Sequence, residues 1–263
     1  MRRRLDAELV RRGLVPSRAR AVEAIGAGLV TVGGAPATTA ARQVAPDEPV
    51  AVAGTPARFV SRGGEKLDAA LKHWAIDVAG QRVLDAGAST GGFTDCVLQR
   101  GAAAVVAVDV GHGQLAWTIR SDSRVEVMER TNLRVLEALP GGPADRAVAD
   151  LSFISLITVA PALARLTTAD AQLVLLVKPQ FEAGRARVGR GGVVRDCAVH
   201  RDVLGEVVAG LMPHGLVVID VMRSPLKGAE GNVEFLALVS KVGRASAAVS
   251  ADRLDTVTAE ETP

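Results

Sequence analysis

Four side chains in this chain have the type and placement to handle a proton: Lys66, Asp150, Lys178 and Glu234. Asp150 and Lys178 each follow an apolar run that reads as a strand, Arg146-Ala147-Val148-Ala149 and Leu173 to Val177. In an open α/β sheet, ligands and chemistry gather at the carboxyl ends of strands. Lys66 precedes the first such strand, and Glu234 begins the last. Lysine is scarce, with only Lys66, Lys72, Lys178, Lys227 and Lys241 among 31 basic residues. A chain that otherwise uses arginine marks Lys66 and Lys178 as places where a lysine is needed, because lysine can lose its proton and arginine effectively cannot. Taken singly, each of the four also fits a surface or ion-pair role; their joint placement around one cleft favours chemistry.

A glycine-rich turn supplies the second element of a site. Arg82 to Thr94 reads as a strand, an acidic Asp85, a turn and then a helix, and the turn runs Asp-x-Gly-x-Ser-x-Gly. Its glycines allow positive φ and close approach of backbone to a ligand. A carboxylate ahead of the first glycine would repel a pyrophosphate and suits a cation, such as the sulfonium and amino group of S-adenosylmethionine. The next apolar run, Ala103 to Val108, ends in Asp109. An acid at that position accepts hydrogen bonds from ribose hydroxyls. The alternative is a turn that serves packing alone.

These groups need a scaffold, and the pattern supplies one. Beyond the first two strands, Val125 to Met128, Arg146 to Ala149, Leu173 to Val177, Leu216 to Val221 and Asn232 to Val239 read as strands. Helices fall at 62–74, 92–100, after Ser155 to Leu166, and at Val199 to Leu211. Alternating strands and helices, with continuously apolar strands, imply α/β architecture: a doubly wound, mostly parallel seven-stranded Rossmann-like sheet. Gly243 to Pro263 carries no clear pattern and is expected to be disordered or a short docked helix.

The start of the chain is different. Residues 1–60 hold nine arginines, no lysine and five acids, an excess of +4, while the whole chain carries +2. Leu5, Leu9 and Val10 make an apolar stripe stopped by Gly13. Ser17 is placed to cap a second helix bearing Ala21, Val22 and Ile25. Leu29 to Val32 reads as a strand, Gly33-Gly34 as a hairpin turn, and Val50-Ala51-Val52 as another strand. This describes a small α+β domain with Arg4, Arg11, Arg12, Arg18 and Arg20 as candidate contacts to RNA phosphates. The expected divisions are 1–56, a linker at 57–60, a catalytic domain at 61–242 and a tail at 243–263.

Two resemblances follow from these residues. Arg4-Leu5-Asp6, Arg12-Gly13-Leu14, Ser17-Arg18, Ala21, Ile25, Gly28 to Val32 and Gly34 resemble the RNA-binding module of ribosomal small-subunit protein four. Lys66, Asp150, Lys178 and Glu234 resemble the Lys-Asp-Lys-Glu tetrad of FtsJ-type RNA 2′-O-methyltransferases. Together with Val60 to Leu67, Asp85 to Thr94, Val110 to Leu115, Asp150 to Ser155, Lys178 to Glu182 and Gly231 to Glu234, they make the whole chain similar to the TlyA family. Those are bacterial rRNA cytidine 2′-O-methyltransferases historically called hemolysins. The resemblance implies the four tetrad positions as catalytic. It implies S-adenosylmethionine contacts from Asp85, Gly87, Ser89, Thr90, Gly91, Gly92, Phe93, Asp109, Gln114, Asn132 and Asp150. It also implies ribosomal RNA in ribosomal subunits as partner, and the arginine-rich start and the extension past Lys241 resemble the longer form, which acts on both subunits. Lys178 is the candidate base; a positioning role, with water taking the proton, is the alternative.

Composition narrows the function class. No stretch approaches the ~20 apolar residues of a membrane span, so action on a membrane is disfavoured. Cys96 and Cys197 match no metal-ligand spacing and read as reduced thiols in a cytoplasm; a monomer is expected. With no tyrosine, five phenylalanines and two tryptophans, recognition of folded RNA by shape and phosphate contact is favoured over stacking of several bases. An RNA-binding assembly factor with a vestigial cofactor pocket is the competing reading, and the intact turn and tetrad oppose it.

Overall fold

A computed structural model describes residues 2–54, 58–243 and 247–259. The expected turn at Thr55-Pro56, Ala57 of the linker, and residues 244–246 and 260–263 of the tail lie outside them. The chain forms two compact units, Met1–Ser61 and Arg62–Pro263.

The first unit contains β1 (Arg3–Arg4), α1 (Leu5–Arg11), α2 (Arg18–Gly26), β2 (Val30–Val32), β3 (Ala35–Pro36), β4 (Gln43–Val44) and β5 (Val50–Val52). Its core is Leu5, Leu9, Ala21, Ile25, Val30, Val32, Ala37 and Val44. The helical stripe of α1 and the alternation of β2 therefore meet on one side. Ser17 caps α2, its hydroxyl accepting from Arg20 N at 3.3 Å. Gly33 and Gly34 take φ of 62° and 83°. Two successive positive values are what a tight two-residue hairpin between β2 and β3 requires.

The second unit contains α3 (Arg62–His73), β6 (Arg82–Ala86), α4 (Gly92–Gln99), β7 (Ala104–Val108), α5 (Trp117–Arg120), β8 (Val125–Met128), β9 (Ala144–Ala149), α6 (Leu156–Leu166), β10 (Thr167–Val177), α7 (Pro179–Glu182), α8 (Cys197–Leu211), β11 (Leu216–Arg223), β12 (Phe235–Lys241) and α9 (Ala251–Thr258). Seven strands form one sheet in the order β11-β12-β10-β9-β6-β7-β8. β6 to β10 are parallel neighbours, and β12 runs antiparallel to both β10 and β11. The chain leaves β6 toward β7 and β8, then returns to β9 on its other side. That reversal opens a crevice at the carboxyl ends of β6 and β9, where such folds bind ligands.

Several boundaries differ from those expected on pattern. β12 starts at Phe235, not Asn232, because the Asn232 side chain is engaged elsewhere: its Oδ1 accepts from Val194 N and its Nδ2 donates to Gly192 O, both at 3.0 Å. Glu234 thus ends a loop instead of beginning a strand. β10 extends back to Thr167 through a polar stretch, and its register with β9 jumps between Thr167 and Gln172. That irregularity hides the strand from any alternation test. The tail folds in part: α9 docks through Leu254 and Val257, with the Arg253 guanidinium donating to Asp220 Oδ1 at 2.7 Å.

Candidate active site

The crevice is a cavity of about 380 Å³ lined by Gly87, Ser89, Asp109, Gln114, Asn132 and Asp150, with Ser152 and Phe153 on its wall. Six of the expected cofactor contacts therefore share one cavity. Thr90, Gly91, Gly92, Phe93 and Asp85 do not line it.

Asp85 has a different place from the one its motif suggests. It is fully buried, and its Oδ2 accepts from the Thr94 hydroxyl at 2.6 Å. Burial pushes its pKa up to about 7; the Thr94 hydrogen bond opposes this, and the neighbouring charges of Asp150 and Asp109 add to it. Its Oδ1 has no hydrogen-bond partner. Asp85 thus lies beneath the turn, as a polar anchor between β6 and α4.

The turn is shaped by close packing. Gly87 has φ +85°, and a Cβ there would stand 2.8 Å from the Asp150 carbonyl oxygen. Gly91 has φ +94°, and a Cβ there would stand 2.9 Å from Leu115 Cδ1. Only glycine fits either position. Asp109 ties this turn to the next: Oδ2 accepts from Ser89 N at 2.7 Å and Oδ1 from Gly111 N at 2.6 Å. The second turn is also held from the end of β8, where Glu129 Oε1 accepts from Gly113 N at 2.8 Å and Oε2 lies 2.8 Å from His112 Nδ1. Burial alone would raise the Glu129 carboxyl, but Gly113 N–H, His112 and Arg120 together hold it below the usual range. Glu129 carries no signal in the sequence, because a lone acid after a strand has no motif.

The four tetrad residues resolve into two ion pairs. Lys178 Nζ lies 2.6 Å from Asp150 Oδ1 and donates to Ser152 Oγ at 3.0 Å. Lys66, on α3, is paired with Glu234. Sheet register explains the placement. Val177 opposes Phe235 across the antiparallel β10–β12 ladder. The residue leaving β10 and the residue entering β12 therefore lie at the same edge of the sheet. Asp150 follows β9 at that edge, with its N–H donating to Ala86 O at 3.1 Å.

Phe153 lies inside the Asp150 to Ser155 segment, where nothing in the sequence assigns it a role. The residue is 91% exposed, its φ is +64°, and its ring rests against Phe181 with ring centroids 4.9 Å apart. A positive φ on a bulky residue costs on the order of 1–3 kcal/mol and persists only where surroundings impose it. Here Glu182 accepts from Ser155 Oγ at 2.6 Å and from Leu156 N at 2.8 Å, fixing the segment that follows.

In the first unit the arginines divide. Arg12 donates to the carbonyls of Glu48, Ala45 and Pro46 at 2.8, 3.1 and 3.0 Å and pairs with Glu8 at 2.7 Å, which makes it a structural clasp. Its side chain and that of Arg20 are each 20% exposed. Arg4, Arg11 and Arg18 are 48%, 51% and 61% exposed, pairing with Asp6 or Glu8. The Arg11 and Arg12 hydrogen bonds hold the Glu8 carboxyl down to about 2.

A doubly wound sheet whose carboxyl edge carries a glycine-rich turn, an acid after its second strand and two lysine–carboxylate pairs has the architecture of an α/β methyltransferase. The FtsJ-like methyltransferase model matches residues 59–241 and the S4 domain model residues 3–50. The chain belongs to the FtsJ-like methyltransferase family, and its cofactor is S-adenosylmethionine. It is 53% identical to the 16S/23S rRNA (cytidine-2′-O)-methyltransferase TlyA of Mycobacterium tuberculosis, over 94% of this chain and 93% of that one. It is 38% identical to Hemolysin A of Brachyspira hyodysenteriae, over 89% and 98% of the two chains. A solved hemolysin-named structure from Streptococcus thermophilus superposes with a TM-score of 0.78 at 39% identity, covering 98% of this chain and 94% of that one. Among the described residues, no helix is long and apolar enough to cross a membrane.

Proposed function

We propose that this chain transfers the methyl group of S-adenosylmethionine to ribose 2′-hydroxyls of cytidines in ribosomal RNA, acting on both subunits as a cytoplasmic monomer. The observation that carries the reading is the Lys178–Asp150 pair at 2.6 Å, with Asp150 on the wall of the cofactor cavity. The cofactor supplies a carbon already activated by its sulfonium. What remains for the protein is alignment of the acceptor oxygen and care of its proton.

The division of labour follows from the geometry. Asp109, Ser89, Gln114 and Asn132 are suited to the adenosine part, and the backbone at Gly87 admits close approach. Asp85 supports that turn from below, and Thr90, Gly91, Gly92 and Phe93 give it its shape. Lys178 is the candidate to hold the 2′-hydroxyl or take its proton, with Asp150 fixing the ammonium. Lys66 and Glu234 form a second, buried pair that does not line the cavity. The exposed Phe153 ring offers a flat apolar face on which one unstacked base can rest. Arg4, Arg11 and Arg18 anchor RNA phosphates, and Arg12 holds their unit together. In the second unit the exposed Arg130, Arg134, Arg185 and Arg190 add positive charge.

The experiment is transfer of label from S-adenosylmethionine into isolated small and large ribosomal subunits, followed by digestion to nucleosides. The expected product is 2′-O-methylcytidine from both subunits. Label in a base, or none, contradicts the reading; liposome leakage without transfer would favour action on membranes.

A further inference from the structure

The loop between β11 and β12 is closed by a glycine whose role lies in the space it leaves. Ser224 N donates to Glu234 O at 2.9 Å and Gly228 N to Asn232 O at 2.8 Å. The Arg62 guanidinium donates to Lys227 O at 2.7 Å. Asn232, 3% exposed, is tied to Gly192 and Val194. The backbone is thus held on both sides of Gly228 and on both sides of Glu234. Between them the Glu234 side chain lies flat on Gly228. A Cβ at position 228 would stand 2.6 Å from Glu234 Cδ and 3.3 Å from its Cγ, and would overlap Oε1. Carbon atoms at optimal separation are ~3.5–4.0 Å apart.

Backbone conformation does not explain this glycine. Its φ lies outside the left-handed region, while Glu230 and Gly231, at +56° and +84°, make the turn. Any residue could adopt the Gly228 backbone; only glycine leaves room for the carboxylate. We infer that Gly228 is a positioning residue: its missing side chain lets Glu234 reach the buried Lys66 and so sets one half of the tetrad. This rests on the reading of Lys66 and Glu234 as parts of the active site. With the loop backbone tied down, a methyl group at 228 displaces the side chain of Glu234 and leaves the ammonium of Lys66, whose side chain is 9% exposed, without its partner.

The test is a set of variants in the full-length protein: Gly228→Ala, Glu234→Ala, the two together, and Gly228→Ala with Glu234→Asp. Methyl transfer to ribosomal subunits, S-adenosylmethionine binding by calorimetry and Tm are measured for each. Gly228→Ala is expected to lower kcat about 100-fold, the scale of a misplacement that originates away from the reacting atoms, with cofactor Kd unchanged. Shortening the acid, Glu234→Asp, should restore part of that activity. Tm should fall on Gly228→Ala in the native background and stay level once Glu234 is Ala. Wild-type kcat in Gly228→Ala, or an equal fall of Tm in both backgrounds, overturns the inference. If the wild type itself transfers no methyl to RNA, the functional reading fails, and the Tm comparison still decides whether Gly228 serves Glu234.

Discussion

The two lysine–carboxylate pairs use the same chemical groups in different settings. In Lys66–Glu234 the side chains are 9% and 3% exposed; in Lys178–Asp150 they are 12% and 24% exposed. The first is enclosed by a loop and a helix. The second has Asp150 on the cavity wall and the hydroxyl of Ser152 beside its ammonium. A buried pair is costly to break because one charge is left unsolvated. An open pair can exchange its partner for a ligand. The enclosed pair therefore suits fixing geometry and the open pair suits reaction.

The largest effect should come from breaking the open pair. Lys178→Ala should abolish methyl transfer, at least the 10²–10⁴-fold associated with a positioned proton-handling group, while cofactor binding and Tm stay near wild type. Lys178→Arg separates the two roles: a base cannot be replaced by a permanently charged guanidinium. Near-normal turnover in that variant assigns Lys178 to positioning. Glu234→Ala should act on stability as well, costing about 3–5 kcal/mol by stranding Lys66; denaturant unfolding measures it. Equal, small decreases of stability at Asp150→Ala and Glu234→Ala would erase the distinction between the pairs.

Legibility in sequence follows the same division. The strands that carry the site are readable because apolar runs end in Asp85, Asp109, Asp150 and Lys178. Pairing is not, because it depends on the antiparallel entry of β12, which sets Phe235 against Val177. Gly228 and Glu129 give no local signal, since they act on residues reached only through the fold. Asp85 reads as ligand-facing, whereas its carboxylate is buried and accepts from the Thr94 hydroxyl, because a motif fixes position along the chain and not the direction of a side chain. The arginines of the first unit look equivalent as charges, and only the carbonyls at Ala45, Pro46 and Glu48 separate Arg12 from Arg11.

Two smaller effects sharpen the contrast between buried and open groups. Replacing Arg4, Arg11 and Arg18 with Ala should weaken subunit binding and flatten its salt dependence, by ~0.7–0.9 in log–log slope for each phosphate no longer neutralised. Arg12→Ala should instead lower Tm. A filter-binding titration against salt distinguishes them. For Asp85, the folded pKa of about 7 exceeds the ordinary value of 3.8, so the folded state holds the extra proton between them. Its contribution is full below about pH 4 and fades as pH rises to 7. Asp85→Asn should remove that downward slope and be at least as stable as wild type at pH 8; a thermal unfolding series in pH measures it.

The most direct test is to map 2′-O-methyl groups on ribosomal RNA after each isolated subunit has met wild-type or Lys178→Ala protein with S-adenosylmethionine. The account predicts methylated cytidine with the wild type and none with the variant, although calorimetry shows both binding the cofactor. Equal methylation by both proteins, or methyl groups on bases instead of riboses, would contradict it.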